Sequence, residues 1–375
     1  MRDLADLTKA ELLELARKAD LKGRSKMTKA QLLEALEATE SKKSPPENRR
    51  QILADRLAKL VDPDTRCRWQ SVEGNPCGLP AAMGSTACVL HGGVDIEDLA
   101  VPVLGRLGFD TWPTLLRHMW LASYSIDPLG LDPIVAEMAW HAGNGLYFDY
   151  FRVEVEGIEH VPMAGPAIIA GNHGGAALPY DAAMLMITIM NEAPLPRRVR
   201  VVGTEIFNML PFVSHLYRKA GAAFASREDA LRILGDGHLL GVFPEGERGF
   251  MKPVWEAYQL QRFGRGGFVE LAGQSGAPIV PVAIIGSEEV HPAVAVSKTL
   301  ARVVRMVLPE QRVDGVAVWL NPIPLPVKWR IRFLPPVEAP ADPDDSLAVL
   351  ETTELVKGRI QAELDDMVSN RGSIF

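Results

Sequence analysis

His173 and Asp181 are the residues of this 375-residue chain whose types and spacing most directly suggest chemistry. The run PAIIA (166–170) reads as a buried β-strand and leads into Gly171, Asn172 and His173. A histidine placed there sits at the carboxyl end of a sheet strand, where open α/β folds form their ligand crevices. Eight residues on, Asp181 precedes the apolar stretch AAMLMITIM. Imidazoles titrate near pH ~6.5, so a neutral ring oriented by a carboxylate can take the proton of an attacking hydroxyl. Two plainer roles fit the same residues: an ordinary polar histidine, and an aspartate that only N-caps its helix.

A second cluster is built from sulfur. The chain's three cysteines fall as Cys67-x9-Cys77-x10-Cys88-x2-His91 in one turn-rich segment. Tetrahedral zinc wants four soft or borderline ligands, and a Cys-x2-His pair supplies two from one tight turn. Cys67, Cys77, Cys88 and His91 are therefore the expected ligands of a structural zinc, with no coordination position left open for catalysis. Three buried cysteines beside an unrelated histidine is the plainer account, and confinement of every cysteine to one segment argues against it. An odd cysteine count is a poor basis for a disulfide framework. The segment is similar to short Cys-Cys-Cys-His modules appended to assorted bacterial and phage proteins.

The elements that must position His173 follow from the pattern beyond residue 150. Short apolar runs, FRVEVEG, PAIIAGN, RVRVVG, LLGVFPEG and PIVPVAIIG, are separated by helical stretches. That alternation predicts an α/β domain with a largely parallel central sheet flanked by helices. Ile360, Leu364 and Met367 recur at helical spacing and predict a closing helix.

Further motifs follow His173 in order: Gly221-x2-Phe224-x2-Arg227, then Phe243-Pro244-Glu245-Gly246, then Val280-Pro281. Over residues 150–340 the sequence resembles the phospholipid and glycerol acyltransferase family, whose members carry a His/Asp, a Gly-x2-Phe-x2-Arg, a Phe-Pro-Glu-Gly and a Val-Pro motif in this order. The resemblance implies a glycerol-3-phosphate acyltransferase-like fold. It implies that His173, oriented by Asp181, deprotonates an acceptor hydroxyl that attacks the thioester of acyl-CoA or acyl carrier protein directly. No catalytic cofactor is expected, and the acyl thioester is a co-substrate. Arg227, Glu245 and Gly246 are implied in acceptor binding, with Arg248 and Lys252 adding positive potential. The chemistry agrees, because a guanidinium offers a fixed fork of donors to phosphate oxygens and a carboxylate can hold a polyol hydroxyl. Pro281 is assigned either to an acyl channel or to a strand edge.

One spacing departs from the family pattern. The usual motif is His-x4-Asp, whereas seven residues separate His173 from Asp181, so GGAALPY (174–180) must loop out for the side chains to meet. The wording resembles the monoacylglycerol and diacylglycerol acyltransferase-like branch. Lysophospholipid and neutral glyceride both stay open as acceptors.

The remaining segments read as attachments. LTKAELLELA and MTKAQLLEAL echo each other, each opening with a capping box, Thr8 with Glu11 and Thr28 with Gln31. Residues 1–39 resemble the SAP-like N-terminal module of transcription-termination factor Rho, which implies nucleic acid or protein as a partner there. Twelve Lys and Arg against nine Asp and Glu over residues 1–50, in a chain of net charge -7, place any polyanion-binding surface at this end. The expected divisions are 1–39 helical module, 40–61 linker and helix, 62–95 zinc module, 96–149 helical connection, 150–340 acyltransferase domain and 341–375 closing helix. Within the connection, Trp112, Leu116 and Trp120 share a helix face suited to a core or to a bilayer interface.

Charges within the first eighteen residues do not suit a signal peptide, and no uninterrupted apolar run approaches the ~18 residues of a spanning helix. The expectation is a cytoplasmic enzyme held peripherally on the inner face of the membrane. The competing expectation is a membrane-associated binding or regulatory protein that works through its N-terminal modules. Intact His173, Asp181, Arg227 and Glu245 favour the enzyme, and no Gly-x-Ser-x-Gly elbow supports a hydrolase.

Overall fold

The computed structural model describes Thr8, Lys9, Leu12, Leu13, Ala16 and residues 27–33, strand residues 61–66 and 80–82, and residues 129–375 except 176–177, 194–196, 204–212, 308–314 and 320. Its contacts divide the chain into two compact units, Met1–Ala58 and Lys59–Phe375. In the first, Leu12, Ala16 and Leu32 are fully buried, with Leu13, Met27 and Leu33 packed against them. The capping box expected at Thr28 is formed: Gln31 N donates to Thr28 Oγ1 at 3.3 Å, and Thr28 N donates to Gln31 Oε1 at 2.9 Å. Cys67, Cys77, Cys88 and His91 lie outside the described residues, as do Trp112, Leu116 and Trp120. β1 (Val61–Arg66) pairs antiparallel with β2 (Pro80–Ala82).

The second unit is organised by a seven-stranded sheet made of β3 (Glu154–Glu156), β4 (Ala167–Gly171), β5 (Val199–Gly203), β6 (Ala223–Phe224), β7 (Leu239–Val242), β8 (Ile279–Ile285) and, after a separate antiparallel ribbon β9 (Ala293–Ser297) with β10 (Val316–Trp319), β11 (Arg330–Phe333). Their order is β3-β11-β8-β4-β7-β5-β6. β8, β4, β7, β5 and β6 run parallel, while β11 runs antiparallel to β8 and parallel to β3. Every residue of β4, β7 and β8 is buried, which is why they read as continuous apolar runs rather than alternating ones.

Among the described residues, the longer helices of this unit are α1 (Pro133–Gly145), α2 (Tyr180–Glu192), α3 (Val213–Lys219), α4 (Arg227–Gly235), α5 (Gly267–Ser275), α6 (Lys298–Val307) and α7 (Ser346–Ser369). One core face joins Ile168 and Ala170 of β4 and Ile279, Ala283 and Ile285 of β8 to Ile233 of α4, Val269 and Ala272 of α5 and Val356, Ile360 and Leu364 of α7. Outside that cluster α1 packs on α2, and α2 on β5. Asp345 starts α7 by accepting from Leu347 N and Ala348 N at 3.0 and 3.2 Å. The closing helix is thus part of the sheet's own core, and the boundary expected at residue 340 runs through one packed body.

The sheet expected from the sequence is present, and all five apolar runs form strands of it. Not anticipated were β6, only two residues long, β11, and the β9–β10 ribbon with α6 inserted between β8 and β11.

Candidate active site

Parallel strands deliver their carboxyl ends to one edge, so the loops after β8, β4 and β7 are neighbours there. His173 follows β4. Its Nδ1 lies 2.6 Å from Asp181 Oδ2, and an ionised carboxylate can only accept, so Nδ1 carries the proton and Nε2 is left as a base. The same Oδ2 accepts from Gly174 N at 2.8 Å, and Oδ1 from Ala182 N at 2.8 Å. Asp181 is fully buried in the first turn of α2, while Pro179 holds the N-cap position. It is therefore not merely a cap. The chain after His173 turns at Gly175, whose φ of +126° is open to glycine and strained for side chains. Gly174 is needed for a different reason: a Cβ there would stand 2.3 Å from Glu288 Cγ.

The ring of His173 is flanked by Phe243, centroid 4.6 Å away, and by Phe250 at 5.0 Å. Behind it lies a buried charge network. Glu245, after β7, accepts from His173 N through Oε1 at 2.9 Å and from Gln261 N through Oε2 at 2.7 Å. Lys252 Nζ stands 3.2 Å from Glu245 Oε2 and 2.9 Å from Glu288 Oε1, and Glu288, after β8, also accepts from Tyr258 N at 2.9 Å. These three charged side chains are at most 5 % exposed. One ammonium therefore serves two carboxylates. Burial pushes Glu288 up to about 7 against the pull of Lys252. For Lys252 burial disfavours the charge, but Glu288 and Glu245 outweigh it and raise its pKa.

The folded chain holds a proton on Glu288 above the ordinary value of 4.5, so the native state binds more protons between about pH 4.5 and 7 and loses stability as pH rises through that window. Glu288→Gln is expected to flatten this decline, measured as urea midpoint against pH. An unchanged slope would assign the titration elsewhere.

The other residues singled out in the sequence are placed as follows. Gly246, φ +59°, precedes the helical turn Glu247–Phe250, in which Arg248 is exposed. Arg227 begins α4 at the same sheet edge, but β6 is three strands from β4, about 14 Å across the sheet. Its NH1 pairs with Glu270 Oε2 at 2.9 Å on the surface. His173, Asp181 and Glu245 are brought together, and Arg227 is not in contact with them. Glu245 has both oxygens on backbone amides, so the structure places it as a brace of the histidine loop rather than as an open carboxylate. Lys252 was singled out only as a positive charge, and Glu288 and Tyr258 were missed altogether. Arg227's partner Glu270 was missed too.

An apolar cavity of about 480 Å³ opens between α1 and α2. Trp140, Gly143, Ala183, Ile187, Val201 and Tyr217 are among its lining residues, and so are Leu178, Pro179 and Tyr180 of the segment joining His173 to Asp181. Burial, and then the charge of Asp181, push the Tyr217 phenol up to about 12. Gly143 sets the helix approach, since a Cβ there would lie 2.3 Å from Ile187 Cδ1.

An uncharacterised protein of Mycobacterium tuberculosis is 38% identical over 285 residues, covering 74% of this chain and 78% of that protein. Another from Mycobacterium leprae is 37% identical over 286 residues, covering 75% and 76%. The family described as Acyltransferase matches residues 152–285, which contain the whole His173, Asp181, Glu245 and Lys252 constellation. The chain carries an acyltransferase-family domain over those residues. A human relative, described as a DGAT1/2-independent enzyme synthesizing storage lipids, is 32% identical over 143 residues, covering 38% of this chain and 42% of that protein. The crystal structure of the 1-acyl-sn-glycerophosphate acyltransferase PlsC from Thermotoga maritima aligns with a TM-score of 0.45 at 17% identity, covering 70% of this chain and 89% of that one. For this chain the functional assignments rest on its own geometry.

Proposed function

We propose that the protein transfers a fatty acyl group from a coenzyme A or acyl carrier protein thioester to a hydroxyl of a glycerolipid-type acceptor, a lysophospholipid or a neutral glyceride. The observation that carries the proposal is the 2.6 Å contact of Asp181 with His173 Nδ1, in a loop whose residues 178–180 also line an apolar cavity. Asp181 holds the ring so that Nε2 faces the reacting hydroxyl. As the acceptor oxygen attacks the thioester carbonyl, its proton passes to Nε2. When the tetrahedral intermediate collapses, the carbon–sulfur bond breaks and the imidazolium returns the proton to the departing thiolate. Positioning both substrates in one complex removes the need for a covalent enzyme intermediate. A lipid acceptor accords with the storage-lipid relative.

The cavity is assigned to the acyl chain, being apolar and within the ~300–1,000 Å³ of small-molecule sites. Arg227 is assigned to an anionic acceptor headgroup. Its present ion pair with Glu270 is a surface one, 49% and 35% exposed, of the kind worth only about 0–1 kcal/mol, so a phosphate displaces it at little cost.

The test is incubation of purified protein with labelled acyl-CoA or acyl carrier protein and a panel of lysophosphatidate, monoacylglycerol and diacylglycerol. A labelled lipid product is expected, and no product with any pairing would overturn the proposal. Ala183→Trp, which fills the cavity, is expected to lower kcat/KM for long-chain donors roughly tenfold relative to short-chain ones, consistent with ~1–3 kcal/mol per misplaced methylene. An unaltered chain-length profile would place the acyl chain elsewhere.

A further inference from the structure

We propose that the insertion between β8 and β11, formed by the β9–β10 ribbon and α6, is the surface by which this protein docks on an anionic lipid bilayer. Lys298–Val307 holds three cations, Lys298, Arg302 and Arg305, and no acidic residue, in a chain of net charge -7. Its apolar side chains are turned outward as well. At ~100° per residue, fully buried Ala301 and half-buried Val304 share the side that rests on the protein. Met306 (78% exposed), Val303 (52%) and Leu300 (46%) project away from it, with exposed Arg302 beside them. Val294 and Val296, two apart on β9, are exposed too. Isolated surface apolar residues need no explanation, but here five large ones are exposed within thirteen residues of one insertion.

The combination selects the partner. Apolar side chains interleaved with Lys and Arg suit the boundary between headgroups and acyl chains, where the methylene stems stay in the apolar zone and the charges reach anionic headgroups. Opposite charge complements a negatively charged leaflet. The position suits it as well. Ala293 and Ala317 pack with Met251 and Trp319, and Ala317 N donates to Met251 Sδ at 3.4 Å. Met251 directly follows Phe250, the ring beside His173. At the foot of β9, His291 stacks on Tyr180, a lining residue of the apolar cavity. The ribbon that carries these residues is thus rooted against neighbours of the candidate site. The choice of a lipid partner rests on the proposed acyl transfer, whereas the binding measurement does not.

The full-length protein is tested by co-sedimentation with vesicles of equimolar phosphatidylcholine and phosphatidylglycerol, and with vesicles of phosphatidylcholine alone. Binding to the mixed vesicles, weakened by salt, is expected. Val303→Asp/Met306→Asp and, separately, Arg302→Ser/Arg305→Ser should each weaken it roughly tenfold, because each removes one of the two attractions. All four positions are exposed, and the charge-removing pair keeps the apolar side chains as a check on folding. His173→Ala should bind like the parent. If vesicle binding falls in both double variants but no acyl transfer is found with any acceptor, the docking surface stands and the acyltransferase reading fails. Parental binding in both double variants would overturn the proposal, as would no binding of the parent. So would a parent that self-associates through these residues, is split by Val303→Asp/Met306→Asp and ignores vesicles.

Discussion

His173→Ala is expected to lower acyl transfer by roughly 10²–10⁴-fold, the range that a positioned general base contributes. The fold should survive the change. His173 is 15% exposed and sits at the rim of the sheet, and its backbone N–H, which bonds Glu245 Oε1, is retained by alanine. The loss should fall on kcat, with similar melting temperatures, because the imidazole is needed only as the proton moves. His291 is not free to substitute: it is buried and its Nδ1 stands 2.9 Å from Asn321 O. Turnover within tenfold of the parent would sink the assignment of the base. Asp181→Asn separates less cleanly, because Asp181 also holds Gly174 N and Ala182 N, so that change alters the loop as well as the ring.

The pair itself was legible because its parts are local. A strand followed by a polar histidine, then a helix opened by an aspartate, specifies which side chains leave one sheet edge, and the spacer asks for glycines at 174 and 175. The five apolar runs announced their strands for the same reason, since burial on both faces removes polar residues from them. Strand order was not legible. That β8 and β7 flank β4 cannot be read from any run of residues, yet this order is what brings Glu288, His173 and Glu245 together. The Phe-Pro-Glu-Gly motif suggested a carboxylate open to a ligand. Its side chain is instead fully buried, because Gly249 leaves room for it, a Cβ there coming within 2.5 Å of Glu245 Cβ. Arg227 shows the converse: its motif marked the correct sheet edge, while the breadth of β7, β5 and β6 keeps it away from the histidine.

Lys252→Met should destabilise the protein by about 3–5 kcal/mol, the usual cost of removing one partner from a buried ion pair. Methionine fills most of the stem's volume, so the loss comes from charge rather than packing. Glu245 and Glu288 would be left facing each other with backbone amides as their remaining partners. Part of that cost should return in Lys252→Met/Glu288→Gln, which removes one of the two carboxylates, and equal urea midpoints for the single and double variants would show that no such repulsion exists. Activity should follow the same order. Glu245 Oε1 holds the His173 amide, so a carboxylate that shifts to escape its neighbour takes the catalytic loop with it. The partial rescue separates this coupling from simple unfolding: with folded fractions matched at low temperature, the single variant should turn over more slowly than the double. The reverse order would mean that the network braces the fold without positioning the base.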